Sequence, residues 1–146
     1  MKSSTSPLRV GVAGLGTVGV GVVKILEERA NILAAHTGRH IEITAVSARD
    51  RRRDRGVDLS RYDWCDNTVE LAACDNVDMI IELIGGSDGP AYALAKETLK
   101  RGKAFITANK ALIAVHGHEL AELAENNSAY LRFEAAIAGG IPIVKA

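Results

Sequence analysis

The chain has 146 residues, a length that suits one domain, and 47% of them are hydrophobic, too many for a disordered chain. Eighteen basic residues balance 18 acidic ones, so no whole-molecule field draws it to nucleic acid or to a membrane surface. No apolar run reaches the roughly 18 residues of a membrane span, and Cys65 and Cys74 fit neither a metal spacing nor a disulfide framework, which places the chain in a reduced, cytoplasmic compartment.

Residues 1–7, "MKSSTSP", are polar and lack the apolar stretch of a secretory signal; they read as a disordered lead-in to one domain over residues 8–146. Residues 8–13 predict a buried strand. Residues 17–35 predict a helix, with Val18, Val22, Ile25, Leu26, Ile32 and Leu33 at helical spacing and Gly38 as its stop. "IEITAVS", residues 41–47, is a second strand rich in β-branched residues. The charged stretch that follows has no sustained period and reads as loop, and residues 68–74 are a short helix candidate. "VDMIIELI", residues 77–84, is a third strand, ending at Gly85-Gly86.

Asp88 and Pro90 mark the next helix start, as N-cap and early-turn proline. Ala91, Leu94, Ala95, Thr98 and Leu99 line one face of that helix, and Gly102 ends it. "AFIT", residues 104–107, is a fourth strand. A helix over residues 110–126 follows, with Gly117 as a point where it could break, and residues 129–134 form a fifth strand before a last glycine turn. Strands alternating with helices imply an α/β fold, a doubly wound and mostly parallel sheet with every strand-to-helix turn at one edge.

Three places at that edge carry chemistry. Gly14, Gly16 and Gly19 form G-x-G-x-x-G after a strand and before a helix, the context of a Rossmann-like dinucleotide-binding turn. Gly14 permits the tight turn, Gly16 removes the Cβ that would block a diphosphate, and Gly19 lets helix and strand pack closely. The second strand ends "VSARDRRR": no carboxylate sits at its tip and Arg49 comes first, which favours a 2′-phosphate, and so NADP over NAD. Arg51, Arg52 and Arg53 are possible helpers, and a merely solvated charged loop is the other reading. Gly85 and Gly86 either let a nicotinamide ribose lie against the backbone or simply form a loop. Lys110, at a helix start on the same edge, is either a proton donor beside a substrate carbonyl or an ordinary surface lysine. His116 and His118, two residues apart, lack the spacing of a helical zinc pair.

Taken together, "GVAGLGTVG", "VDMIIELIGG", "GKAFITANKALIAVHGHEL" and "LRFEAAIAGGIPIVKA" resemble the N-terminal part of homoserine dehydrogenase, from residue 8 to the last residue. "TANKAL" and "EAAIAGGIPI" are the most specific of these segments. The resemblance implies an oxidoreductase that interconverts aspartate 4-semialdehyde and homoserine with NADPH or NADH, a step in threonine, methionine and isoleucine synthesis. It implies that Gly14, Leu15, Gly16, Thr17, Val18 and Gly19 hold the diphosphate and that Lys110 transfers a proton at the nicotinamide. It also implies a monovalent cation, sodium, on Glu134 and the backbone carbonyls of Ile137, Gly139 and Ile141. Family members continue into a substrate and dimerisation region after "GGIPI"; Ala146 stands where that region would begin. The expectation is therefore a cofactor domain that binds dinucleotide but is catalytically incomplete, from an enzyme that is homo-oligomeric at full length. The alternative expectation is a stand-alone dinucleotide sensor or interaction module.

Overall fold

A computed structural model describes residues 6–133. Its elements in chain order are β1 (Leu8–Ala13), α1 (Thr17–Glu28), α2 (Ala30–Thr37), β2 (Ile41–Ser47), β3 (Asp63–Trp64), α3 (Glu70–Ala73), β4 (Met79–Glu82), α4 (Pro90–Lys100), β5 (Ala104–Thr107), α5 (Lys110–Asn126) and β6 (Leu131–Arg132). The six strands form one sheet in the order β3-β2-β1-β4-β5-β6, and every neighbouring pair is parallel. This is the doubly wound Rossmann order, in which the chain returns to the centre after the third strand and then builds outward the other way. The expected α/β class therefore holds. Among the described residues no helix is long and apolar enough to cross a membrane.

Strand alternation divides the core into two layers. Val10, Val12 and Val46 face α1, where they meet Val23 and Leu15. The opposite faces of β1, β4 and β5 carry Ala13, Ile80 and Phe105 against Leu71, Leu94, Leu99, Leu112 and Leu120 of α3, α4 and α5. Gly11 belongs to this second layer: a Cβ there would lie 2.9 Å from Ile80 Cδ1, so the bare backbone makes room for the isoleucine. Arg9 ties the starts of the two central strands together. Its backbone N–H and Nε each donate to Asp78 Oδ2 at 3.0 Å, and its Nη2 donates to Asp78 Oδ1 at 2.8 Å.

Several boundaries differ from the sequence expectation. The helix expected over 17–35 is two helices, parted at Arg29, whose φ of −110° and ψ of 19° leave the helical region. A single-residue excursion leaves the apolar spacing almost intact, so periodicity does not reveal it. Gly38 does end α2, in the left-handed conformation at φ 72°. The cap of α4 is Gly89, at φ 73°, and not Asp88. Proline at the first helical position keeps its predecessor out of the α region, and here the turn places that predecessor at a positive φ, which glycine accepts. Asp88 instead accepts from the Ser87 hydroxyl at 3.1 Å and lies 3.2 Å from His116 Nε2.

Gly117 does not break α5, which runs unbroken over 17 residues; the buried Leu112, Leu120 and Ala124 outweigh the ~1 kcal/mol cost of one glycine. The stretch expected as loop contains β3, two residues that pair with Ala45 and Val46 and are too short to show alternation. The strands expected over 77–84 and 129–134 shorten to their central residues, and the last of those positions, Glu134, lies outside the described residues. Cys65 and Cys74 are free thiols with their sulfurs 3.7 Å apart.

Candidate functional site

Because all strands run the same way, Ala13, Ser47, Glu82 and Thr107 end at one edge of the sheet. A cleft of about 270 Å³ opens there between the ends of β1 and β2, lined by Gly14, Gly16, Ser47, Arg49, Arg53 and Thr68 among others. A second cleft, of about 200 Å³, adjoins it across Leu83 and Ile84 and reaches Val18, Gly85, Ala108 and Asn109.

The glycine turn separates into two kinds of position. Gly14 sits at φ 99°, and a Cβ there would lie 2.7 Å from the Leu83 carbonyl oxygen, so both turn and packing demand glycine. A methyl group on Gly19 would overlap the Gly14 carbonyl oxygen, so α1 could not seat against the turn. Gly16 has an ordinary negative φ, and a Cβ on it would meet none of the described residues within 4 Å. It faces the larger cleft, with Thr17 and Val18 exposed beside it, and Val18, 62% exposed, lines the smaller one.

The start of α1 is electrostatically bare. Gly16 caps it with no side-chain hydrogen bond, and no acidic residue lies in its first turn. Leading N–H groups and the positive end of the helix dipole are thus left for an anion. The α5 start, by contrast, is closed by Asn109, whose side chain accepts from the Leu112 N–H at 3.1 Å.

The arginines after β2 also divide. Arg49 and Arg53 line the larger cleft, are exposed, and make no ion pair among the described residues. Arg51 lies over the Trp64 ring, 5.8 Å from its centroid, beside Leu59 and Tyr62 and away from the glycine turn. Arg52 lines none of these clefts, and its backbone N–H donates to Asp50 Oδ1 at 2.9 Å. Arg55 is spent internally: it donates to the Leu15 carbonyl at 3.1 Å, to Arg53 at 2.9 Å and to Asp50 at 2.6 Å. It thereby ties the arginine loop to the glycine turn. Sequence reasoning missed Arg55, since nothing in a charged run distinguishes the one arginine that turns inward.

Gly85 and Gly86 take φ values of 89° and 83°, and Gly85 lines the smaller cleft. Lys110 is the first residue of α5; it is exposed, follows the cleft-lining Asn109, and makes no ion pair among the described residues. Glu134, Ile137, Gly139 and Ile141 lie outside the described residues.

Sequence reasoning also missed Glu82, Thr107 and Asn109, all buried. Glu82 Oε1 accepts the N–H groups of Ile84 and Gly85 at 2.6 and 3.1 Å, and Oε2 accepts the Thr107 hydroxyl at 2.5 Å. A signal existed: an acid inside the apolar run "MIIELI" needs a reason to be buried. Asn109 was legible as a helix N-cap. Across the α4–α5 seam, His116 stacks on Tyr92 with ring centroids 3.9 Å apart. Its hydrogen bond holds the Asp88 carboxyl below its usual pKa.

The site can therefore receive an elongated anion along the sheet edge, phosphates at the α1 start and a flatter, less polar group toward Gly85. Comparison with known proteins shows the family. A family model described as the homoserine dehydrogenase NAD binding domain matches residues 14–134. The homoserine dehydrogenase of Pseudomonas aeruginosa is 41% identical over 140 residues, 96% of this chain and 32% of the relative. The crystal structure of S. aureus homoserine dehydrogenase at pH 7.5 superposes with a TM-score of 0.82 and 39% identity, over 92% of this chain and 34% of that one. The Thiobacillus denitrificans homoserine dehydrogenase structure does so with a TM-score of 0.89 and 34% identity, over 99% and 33%. The chain thus spans about a third of the length of the relatives it matches.

Proposed function

The chain belongs to the homoserine dehydrogenase family, as its NAD-binding domain, and from that premise we propose that it holds NADP, with NAD as the weaker choice, for the interconversion of aspartate 4-semialdehyde and homoserine in a longer, homo-oligomeric, cytoplasmic enzyme. The observation that carries the cofactor reading is the bare start of α1, where an uncapped helix end meets the open space beside Gly16. The alternative of a stand-alone sensor is not favoured, because the relatives reported above are dehydrogenases.

When bound, a nicotinamide dinucleotide supplies or accepts the hydride; alignment and charge fall to the protein. The N–H groups of Thr17, Val18 and Gly19 bind the diphosphate, with Leu15 buried beneath them as packing. Arg49, with Arg53 beside it, meets the 2′-phosphate through charge-assisted hydrogen bonds. The Gly85–Gly86 backbone lies along the nicotinamide ribose. Lys110 Nζ stabilises the developing alkoxide and gives it a proton, or takes the proton back in the reverse direction. On the family resemblance we assign sodium to Glu134 and the backbone carbonyls of Ile137, Gly139 and Ile141, a set of hard oxygen donors that suits such a cation.

Titration with NADPH and NADH, followed by nicotinamide fluorescence, tests the reading. Arg49→Ala is expected to weaken NADPH about tenfold, the worth of one charge-assisted hydrogen bond, and to leave NADH unchanged. Equal losses for both remove Arg49 from the 2′-phosphate, and binding of neither by the unaltered chain overturns the dinucleotide reading itself.

A further inference from the structure

A carboxylate at the end of a central strand, shielded from solvent on all sides, is an expensive choice where an apolar residue would pack at less cost. Glu82 is fully buried, and among the described residues no cation pairs with it. Its three partners are all donors: the N–H groups of Ile84 and Gly85 and the hydroxyl of Thr107. With its proton committed to Glu82, Thr107 Oγ1 accepts the Asn109 N–H at 2.9 Å. Asn109 Nδ2 then donates to the Gly86 carbonyl at 2.6 Å, returning to the loop where the circuit began.

We infer that Glu82, Thr107 and Asn109 form a closed positioning ring that sets the Gly85–Gly86 turn for the nicotinamide half of the cofactor. The inference rests on the dinucleotide reading above and deepens it. Two consecutive glycines at positive φ have wide conformational freedom. The ring removes that freedom by holding the turn from both sides, Gly85 by its N–H and Gly86 by its carbonyl. The same Asn109 caps α5 and so sets the backbone of Lys110, the next residue. The ring borders the smaller cleft through Glu82, Gly85 and Asn109, and none of its three side chains lines the cleft that holds Gly16, Arg49 and Arg53. It is therefore a device for one half of the ligand only. Its charge is also directional: a carboxylate accepts from all three donors, whereas an amide at position 82 would turn an N–H donor toward one of them.

The test compares two probes on the same chain: NADPH, and 2′-phospho-ADP-ribose, which is the dinucleotide without its nicotinamide. Asn109→Asp keeps the oxygen that caps the helix, replaces the donor to Gly86 by an acceptor and adds one negative charge at the smaller cleft. It is expected to weaken NADPH about tenfold and to abolish the nicotinamide fluorescence change, while 2′-phospho-ADP-ribose binds within about twofold of the unaltered chain. Glu82→Gln and Thr107→Val are expected to act alike, and Thr107→Ser, which keeps the hydroxyl, to restore NADPH binding. If either of those two variants fails to fold, Asn109→Asp decides alone. Equal loss of both probes in Asn109→Asp, or no loss of NADPH, overturns the ring as a positioning device. If the unaltered chain binds 2′-phospho-ADP-ribose while NADPH gives it no nicotinamide signal, the ring is overturned too, yet the cofactor reading stands. Failure to bind either probe overturns both.

Discussion

Gly16 and Gly19 stand three residues apart and answer to different demands. Nothing among the described residues needs Gly16 to lack a Cβ, whereas Gly19 must lack one for α1 to seat on the Gly14 carbonyl. Gly16→Ala should therefore lower stability by no more than about 1 kcal/mol, since alanine is only a poorer N-cap than glycine, and weaken NADPH binding at least tenfold. Gly19→Ala should lower stability by about 1–3 kcal/mol through overpacking against backbone that cannot move aside. Chemical denaturation and a dinucleotide titration on both variants separate the two roles. The reverse pattern would mean that the free volume at Gly16 is not where the diphosphate lies. Cys65 illustrates a different control: burial pushes its thiol up to about 12, so its reactivity depends on opening of the fold and not on local activation.

At the scale of elements, the seam between β1 and β4 is pinned by the fork of Arg9 on Asp78. The hydrogen bond from Arg9 holds the Asp78 carboxyl below its usual value of 3.8. A depressed folded-state value means that this contribution is complete above the unfolded value and is lost as pH falls through the folded one. The unfolding temperature should thus fall below about pH 4, and Asp78→Asn should show a shallower fall in that window together with a lower plateau at neutral pH. A parallel slope in the two proteins would refute the assignment. The elements whose limits moved most are those set by single residues. Arg29 parts α1 from α2 and Gly89 caps α4, and each depends on one backbone angle that apolar spacing does not encode.

For the whole molecule, the sheet with a core on each face decides both stability and access. Phe105 is fully buried at the centre of the larger layer, against α3, α4 and α5. Phe105→Ala should cost about 3–5 kcal/mol in urea denaturation. Cys65 lies in the same layer, so its maleimide labelling should accelerate in that variant at fixed temperature. Cys74, half-buried, should label first in either protein. A Cys65 labelling rate unaffected by Phe105→Ala would show that β3 opens independently of the layer beneath it.

Apart from β3 and the break between α1 and α2, the order of strands and helices, their parallel pairing, the glycine turn and the position of Lys110 at a helix start were written in local pattern. Alternation, helical spacing and glycine placement are near-neighbour properties, and the connection rules for parallel strands do the rest. What the linear pattern left open was which charges turn inward. Arg55 bends back to Leu15 at the wall of the cleft that Arg49 and Arg53 also line, and Glu82 closes a ring with residues 25 and more positions away. Those outcomes depend on which donors and acceptors the folded sheet edge brings within hydrogen-bond reach, and only the tertiary arrangement sets such distances.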